Sequence, residues 1–346
     1  VVASHSLAAT ARLDLEMARL AEDYPQPFAA WCRLAPASRQ QLATAPATCL
    51  RLAEADHDGG RRLTRFLLES VAALAGVDDP SAALPSPAWS PNGDLYVVAG
   101  GTESTAPSRF DRTRRYRAAR FGRVAVDFFS PYAGDAQEGW TPGLMAHSAA
   151  EAEELLRRVE QALLLVYATS WEAATFIDLS LCSLVLRPDP SAPDKAWSGS
   201  WSTMIGKAVL ANQHLPSSSP AALADAILHE SIHSFLYRLE RSAAIFALPP
   251  PPELSVRSPW TGAELASSSF SHACLVWFGL WSFWRRALAG GSSAVAEGRP
   301  LLARAASGFL GPPLVAGEIA DCWSPQFADL VDWCQRRVAG ETAAEV

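Results

Sequence analysis

Lysine is almost missing from this chain. Of 29 basic residues only Lys195 and Lys207 are lysines, and the 36 acidic residues outnumber them all, for a net charge of −7. That balance removes the basic footprint expected of a nucleic-acid binder. The six cysteines, at 32, 49, 182, 274, 322 and 334, form no CxxC pair. This argues against a zinc ribbon or a disulfide framework and for reduced thiols in a cytoplasmic protein. The longest apolar run, Ala273 to Trp284, is too short to cross a bilayer, which takes about 20 residues. The first residues lack a charged segment followed by an apolar one, so no signal peptide and no membrane partner are expected. Histidine is scarce too, with seven in all at 5, 57, 147, 214, 229, 233 and 272. Any grouping among so few is informative.

What is present is ample core material, 49% hydrophobic and 19% charged over 346 residues. Residues 1–78 read as a helical section, clearest where Leu63, Phe66, Leu67, Val71 and Leu74 form one stripe. A Pro-rich stretch, 79–91, reads as a linker or long loop, and 92–346 as the catalytic domain. Strand-like runs occur at 95–99, 123–129, 176–186 and 205–211. The cluster Arg112, Arg114, Arg115, Arg117 and Arg120 reads as a solvated face. Ser148 and Glu151 form a capping box that opens a helix to about Ala168. The segment 301–338 looks helical.

One motif prescribes chemistry. Residues 229–233 read His-Glu-Ser-Ile-His. Ser219 stands as N-cap and Pro220 as the first helical residue, followed by a run of strong helix formers. The four prolines at 249–252 end the segment. On a helix, residues four apart share a face, so His229 and His233 can chelate one divalent ion beside Glu230. A third ligand is needed. His272 lies in one of the most apolar stretches, where a histidine is buried and needs partners. Glu264 is the carboxylate rival, ahead of Glu240 and Glu253. With zinc, Glu230 would serve as general base of a metallopeptidase. A vestigial box on a peptide-binding module is the non-enzymatic alternative. Among the twelve tryptophans, those at 260, 277, 281 and 284 cluster.

Three pieces together carry a resemblance: Leu228-His229-Glu230-Ser231-Ile232-His233, then Ser258-Pro259-Trp260-Thr261-Gly262, then Phe270-Ser271-His272-Ala273 before an aromatic helix. They resemble the HExxH-type peptide β-hydroxylases, which use iron and 2-oxoglutarate to modify ribosomally made peptides in bacterial natural-product pathways. The stretch Gly199 to Gly206 also fits, and the likeness covers roughly residues 175–290. It implies Fe(II) held by His229, His233 and His272, with 2-oxoglutarate and O2 as co-substrates and a precursor peptide as substrate. Glu230 would then orient a ligand or a water.

The distal carboxylate of 2-oxoglutarate calls for a cation, with Arg257 the first choice and Lys207 the second. Tyr237 shares the face of His233 and, with Trp260, is a candidate for substrate contact. The fold expected is α+β: a zincin-like metal helix beside a small mixed sheet whose edge strand receives an extended peptide, between an N-terminal helical section and C-terminal helices.

Overall fold

Proline opens the early helices. Pro25 and Pro36 occupy the first turns of their helices, where the missing N–H costs nothing. A computed structural model describes residues 2–46, 48, 51–52, 61–78, 88–92, 94–98, 103–104, 115–130, 147–241, 245–291 and 295–344. These form two units, Val1–Glu160 with Asp178–Ser218, and Gln161–Ile177 with Ser219–Val346.

In the first unit, helices α1 (Val2–Arg19), α2 (Pro25–Arg33), α3 (Pro36–Thr44) and α4 (Arg61–Asp78) bury one core. Leu13, Met17, Leu42, Leu67 and Val71 are fully enclosed in it. Trp89, Tyr96 and Tyr116 enter the same core from a small sheet of order β1-β2-β4-β3. Its strands are β1 (Ala88–Trp89), β2 (Leu95–Val97), β3 (Glu103–Ser104) and β4 (Arg115–Arg117). Residues 79–87 of the expected linker, with Arg112 and Arg114, lie outside the described residues. The end of that segment is β1, which belongs to the same unit as the helices before it.

A second sheet has the order β5-β6-β7-β9-β8. It comprises β5 (Arg120–Phe121), β6 (Val124–Asp127), β7 (Ser183–Arg187), β8 (Trp197–Gly199) and β9 (Lys207–Ala211). The central β6, β7 and β9 run parallel and are buried along their length, as parallel strands covered on both faces are. Two expectations need correction. The run expected as a strand over 205–211 forms one only from Lys207, as β9, and it lies between β7 and β8, so it is not the edge strand that would receive a peptide. The 176–186 run is a strand only from Ser183. Residues Trp171–Ser180 are helix α6, following α5 (Ala149–Thr169). The Ser170 hydroxyl caps α6 by accepting from the Ala173 N–H, and that cap outweighs the β-like composition of Phe176 to Leu179. The Ser148–Glu151 capping box is present in both directions.

The second unit carries α7 (Pro220–Glu240), a hairpin of β10 (Ser255–Arg257) and β11 (Glu264–Ala266), then α8 (Ser267–Ala289), α9 (Val295–Ser307), α10 (Gly317–Cys322) and α11 (Pro325–Ala344). Ser219 accepts from the Ala222 N–H at the start of α7. Gly279 of α8 allows α7 to approach closely: a Cβ there would lie 2.6 Å from Ile232 Cδ1, inside the HExxH box. The protein is thus mixed α+β. Among the described residues no helix is long and apolar enough to cross a membrane, and the five described cysteines form no disulfide.

Candidate metal centre

Helix α7 sets the spacing. His229, His233, Tyr237 and Glu240 follow one another at four, four and three residues, which keeps them on one stripe. Helix α8 brings His272 to that stripe. Its Nδ1 lies 3.1 Å from His233 Nδ1, and its Nε2 lies 3.1 Å from Glu240 Oε1. The His229 and His233 rings are 4.9 Å apart, and Tyr237 packs on His272 at 4.8 Å and on His233 at 6.0 Å. His272 is almost wholly enclosed, at 2% exposure. Its helix is pinned next door: Trp323 donates to the Ser271 hydroxyl, which itself donates to the Ser267 carbonyl.

The separation of the two Nδ1 atoms bears on metal fit. Two imidazole nitrogens each about 2.1 Å from one ion, at angles between octahedral and tetrahedral, would be roughly 3.0–3.4 Å apart. The observed 3.1 Å falls in that span, and without a metal it is the length of an N–H···N hydrogen bond between the two rings. Glu240 beside Nε2 favours the tautomer with its proton there, leaving the Nδ1 lone pair toward His233. The N–H is not aimed along the line to the carboxylate, since Nε2 makes no hydrogen bond of good geometry. The contact is therefore electrostatic and orienting.

Burial first, and then the charge of Arg304, pushes His229 down to about 4. Burial, with His229 and His272 adding and Glu230 opposing, pushes His233 down to about 3. Both rings are neutral at pH 7, the form that binds a metal. The donor set of imidazoles suits Fe(II) or Zn(II). Among the described residues no group of three or more His, Cys, Asp or Glu side chains is placed to hold a metal ion. The pair that meets is His233 and His272, while the His229 ring stands edge-on to Trp277 at 5.9 Å.

The other candidates fall as follows. Glu230 is buried at 2%, and its charge is felt by His233 and Tyr237. The Tyr237 phenol is pushed up to about 12 by burial, then by Glu230 and Glu240, and stays protonated. Glu264 is exposed on β11, opposite Arg257 in the hairpin register, and Glu253 is exposed as well. Arg257 is exposed on β10. Lys207 belongs to the first unit, buried with its Nζ 3.8 Å from Met204 Sδ. Trp260 is enclosed rather than presented on a cleft, and its indole N–H donates to the Ala305 carbonyl at 3.0 Å. Cys274 is fully buried, its thiol pushed far up by burial and by Cys334.

Sequence reasoning ranked Glu240 behind Glu264 and missed Arg304. Glu240 was legible in principle, three helical turns past His229 on the same stripe. Arg304 was not, because nothing in its local sequence connects α9 to the box. The chain matches no protein-family model and no curated protein.

Proposed function

We propose that the second unit holds an Fe(II)- and 2-oxoglutarate-dependent oxygenase centre that hydroxylates the β-carbon of a residue in a ribosomally made peptide. The observation that carries the metal reading is the approach of His272 Nδ1 to His233 Nδ1 at 3.1 Å, with Glu240 on the far nitrogen of His272. The reaction class and peptide substrate rest on the resemblance of the three sequence pieces. The same reading makes α7 a zincin-like metal helix.

Iron with O2 and 2-oxoglutarate supplies the oxidising power: one oxygen atom enters the substrate C–H bond, and the other leaves in succinate as CO2 is lost. The chain supplies the rest. His229, His233 and His272 would hold the metal as neutral imidazoles and leave positions open for the other reactants. Glu240 orients His272. Tyr237, protonated, offers an O–H beside two of the three rings. Trp277, against His229, excludes water from that side.

The test is anaerobic addition of Fe(II) and then 2-oxoglutarate to the full chain. The expected result is a weak visible charge-transfer band that disappears on admitting O2, with succinate released. A protein that instead retains zinc tightly, shows no band and cleaves peptides only while Glu230 is intact is a metallopeptidase. A Glu230→Gln comparison decides between the two.

A further inference from the structure

Two histidines outside the HExxH box, His147 and His214, meet within the first unit. They come from distant parts of the chain. His147 immediately precedes Ser148, whose hydroxyl and N–H make the capping box of α5. His214 stands just past the end of β9 at Ala211. Their ring centres are 5.5 Å apart. Two imidazoles on one ion, at angles between octahedral and tetrahedral, would have ring centres about 4.6–5.3 Å apart. A small side-chain rotation closes that difference.

Each ring also carries an unmatched nitrogen. His147 Nε2 and His214 Nδ1 are shut away from solvent and, among the described residues, have no hydrogen-bond partner. Buried polar atoms normally find one. A shared ion would satisfy both at once. Burial, and then His214, pushes His147 down to about 4 against the pull of Glu151, so this ring is neutral at pH 7 and its lone pair is free to bind a metal. The exposed Glu151 carboxylate is held below its usual range, first by Ser148 and then by the two histidines, and its charge favours a cation beside them.

The place is fixed by the fold. The parallel strands β6 and β9 deliver Phe128 and His214 at their carboxyl ends, where open parallel sheets take their ligands. Phe128 meets His147 edge-on at 6.1 Å. Asn212, at φ 55°, turns the chain out of β9 and donates to the carbonyls of Asp189, Ala192 and Lys195. Arg158 of α5 donates to the carbonyls of Gln213, Leu215 and Ser218. His214 therefore lies in a loop clamped on both sides of it to the helix that His147 introduces.

We propose that His147 Nε2 and His214 Nδ1 hold a divalent transition-metal ion, a second centre independent of the HExxH box. Imidazole nitrogens suit Zn(II) or Ni(II), and the remaining positions are open to water or to an oxygen ligand. The ion ties the start of α5 to the loop after β9. Among the described residues no third His, Cys, Asp or Glu is placed to join the pair. The ion is therefore held less firmly than on three protein ligands, and is read with added metal.

The probe is Zn(II) titrated into the full chain with isotope-labelled histidine rings, followed by NMR. The signals of His147 and His214, assigned by their loss in His147→Gln and His214→Gln, are expected to shift together. In either variant the remaining ring of the pair should no longer shift. Calorimetry on the chain carrying His229→Ala and His233→Ala isolates the site and should show one Zn(II) bound. Adding His147→Gln or His214→Gln should weaken it at least about tenfold, the least that loss of even a residue behind a ligand costs. Zinc that shifts neither ring, or only one, overturns the proposal in the unmutated chain, whatever the variants do. So does a bound Zn(II) that survives both substitutions. None of these results bears on the HExxH centre, so the two readings stand or fall separately.

Discussion

Glu240 offers the sharpest test of how the candidate centre is built. Its carboxylate lies 3.1 Å from His272 Nε2, with 30% of its side chain exposed against 3% for His272. If His272 is a ligand through Nδ1, the nearby carboxylate favours the tautomer with the proton on Nε2. Removing such a partner lowers metal affinity about 10- to 100-fold, equivalent to about 1.4–2.8 kcal/mol. Glu240→Ala is expected to show the full effect. Glu240→Gln, which keeps an oxygen able to accept but loses the charge, should fall near the lower end. The assay is Co(II) titration against a competing chelator, with the visible spectrum reporting the ligand set. His272→Ala, run beside it, should lose much more. A Glu240→Ala protein with wild-type affinity and spectrum would refute the orienting role. A loss beyond a thousandfold would make Glu240 itself a ligand.

Three further outcomes are expected. His229→Ala and His233→Ala should each strip the metal, by metal analysis of the purified protein, while far-UV circular dichroism stays that of wild type. Gly279→Ala places a methyl 2.6 Å from Ile232 Cδ1 and should cost about 1–3 kcal/mol by overpacking, read as a fall in denaturation midpoint; adding Ile232→Val should recover most of it, and additivity of the two changes would disprove the contact. Asp225 is pushed up to about 6, mainly by burial, against the pull of the Trp284 N–H and the Arg304 charge. A carboxyl whose folded value is raised binds its proton more tightly when folded, so its contribution is most favourable below about pH 4 and is lost as pH rises through about 6. Asp225→Asn should therefore match wild type near pH 4 and exceed it at pH 7 by up to about 3 kcal/mol; equal stability at both pH values would contradict this.

Local signals determined the parts of this protein whose physics is local. Ser219, Pro220 and the helix formers after them specify the start of α7, because an N-cap and a first-turn proline act within a few residues. The 3.6-residue repeat then places His229, His233, Tyr237 and Glu240 on one stripe whatever surrounds the helix. The Ser148–Glu151 box opens α5 for the same reason. His272 could be singled out because a histidine among so many apolar neighbours needs a partner.

Only tertiary structure decided the rest. The run 176–186 suits strand or helix by composition, and the Ser170 cap with its packing divides it between α6 and β7. Whether β9 lies at an edge depends on β8 pairing beside it, which no short window of sequence encodes. That His233 rather than His229 meets His272, that Glu240 rather than Glu264 stands behind it, and that Trp260 is enclosed with its N–H on Ala305 all depend on how α7, α8 and α9 pack. Arg304 lies over the Trp277 ring, which meets His229 edge-on, through contacts between residues far apart in the chain. Such contacts are set by close packing of whole helices, and the periodicity of any one helix carries no trace of them.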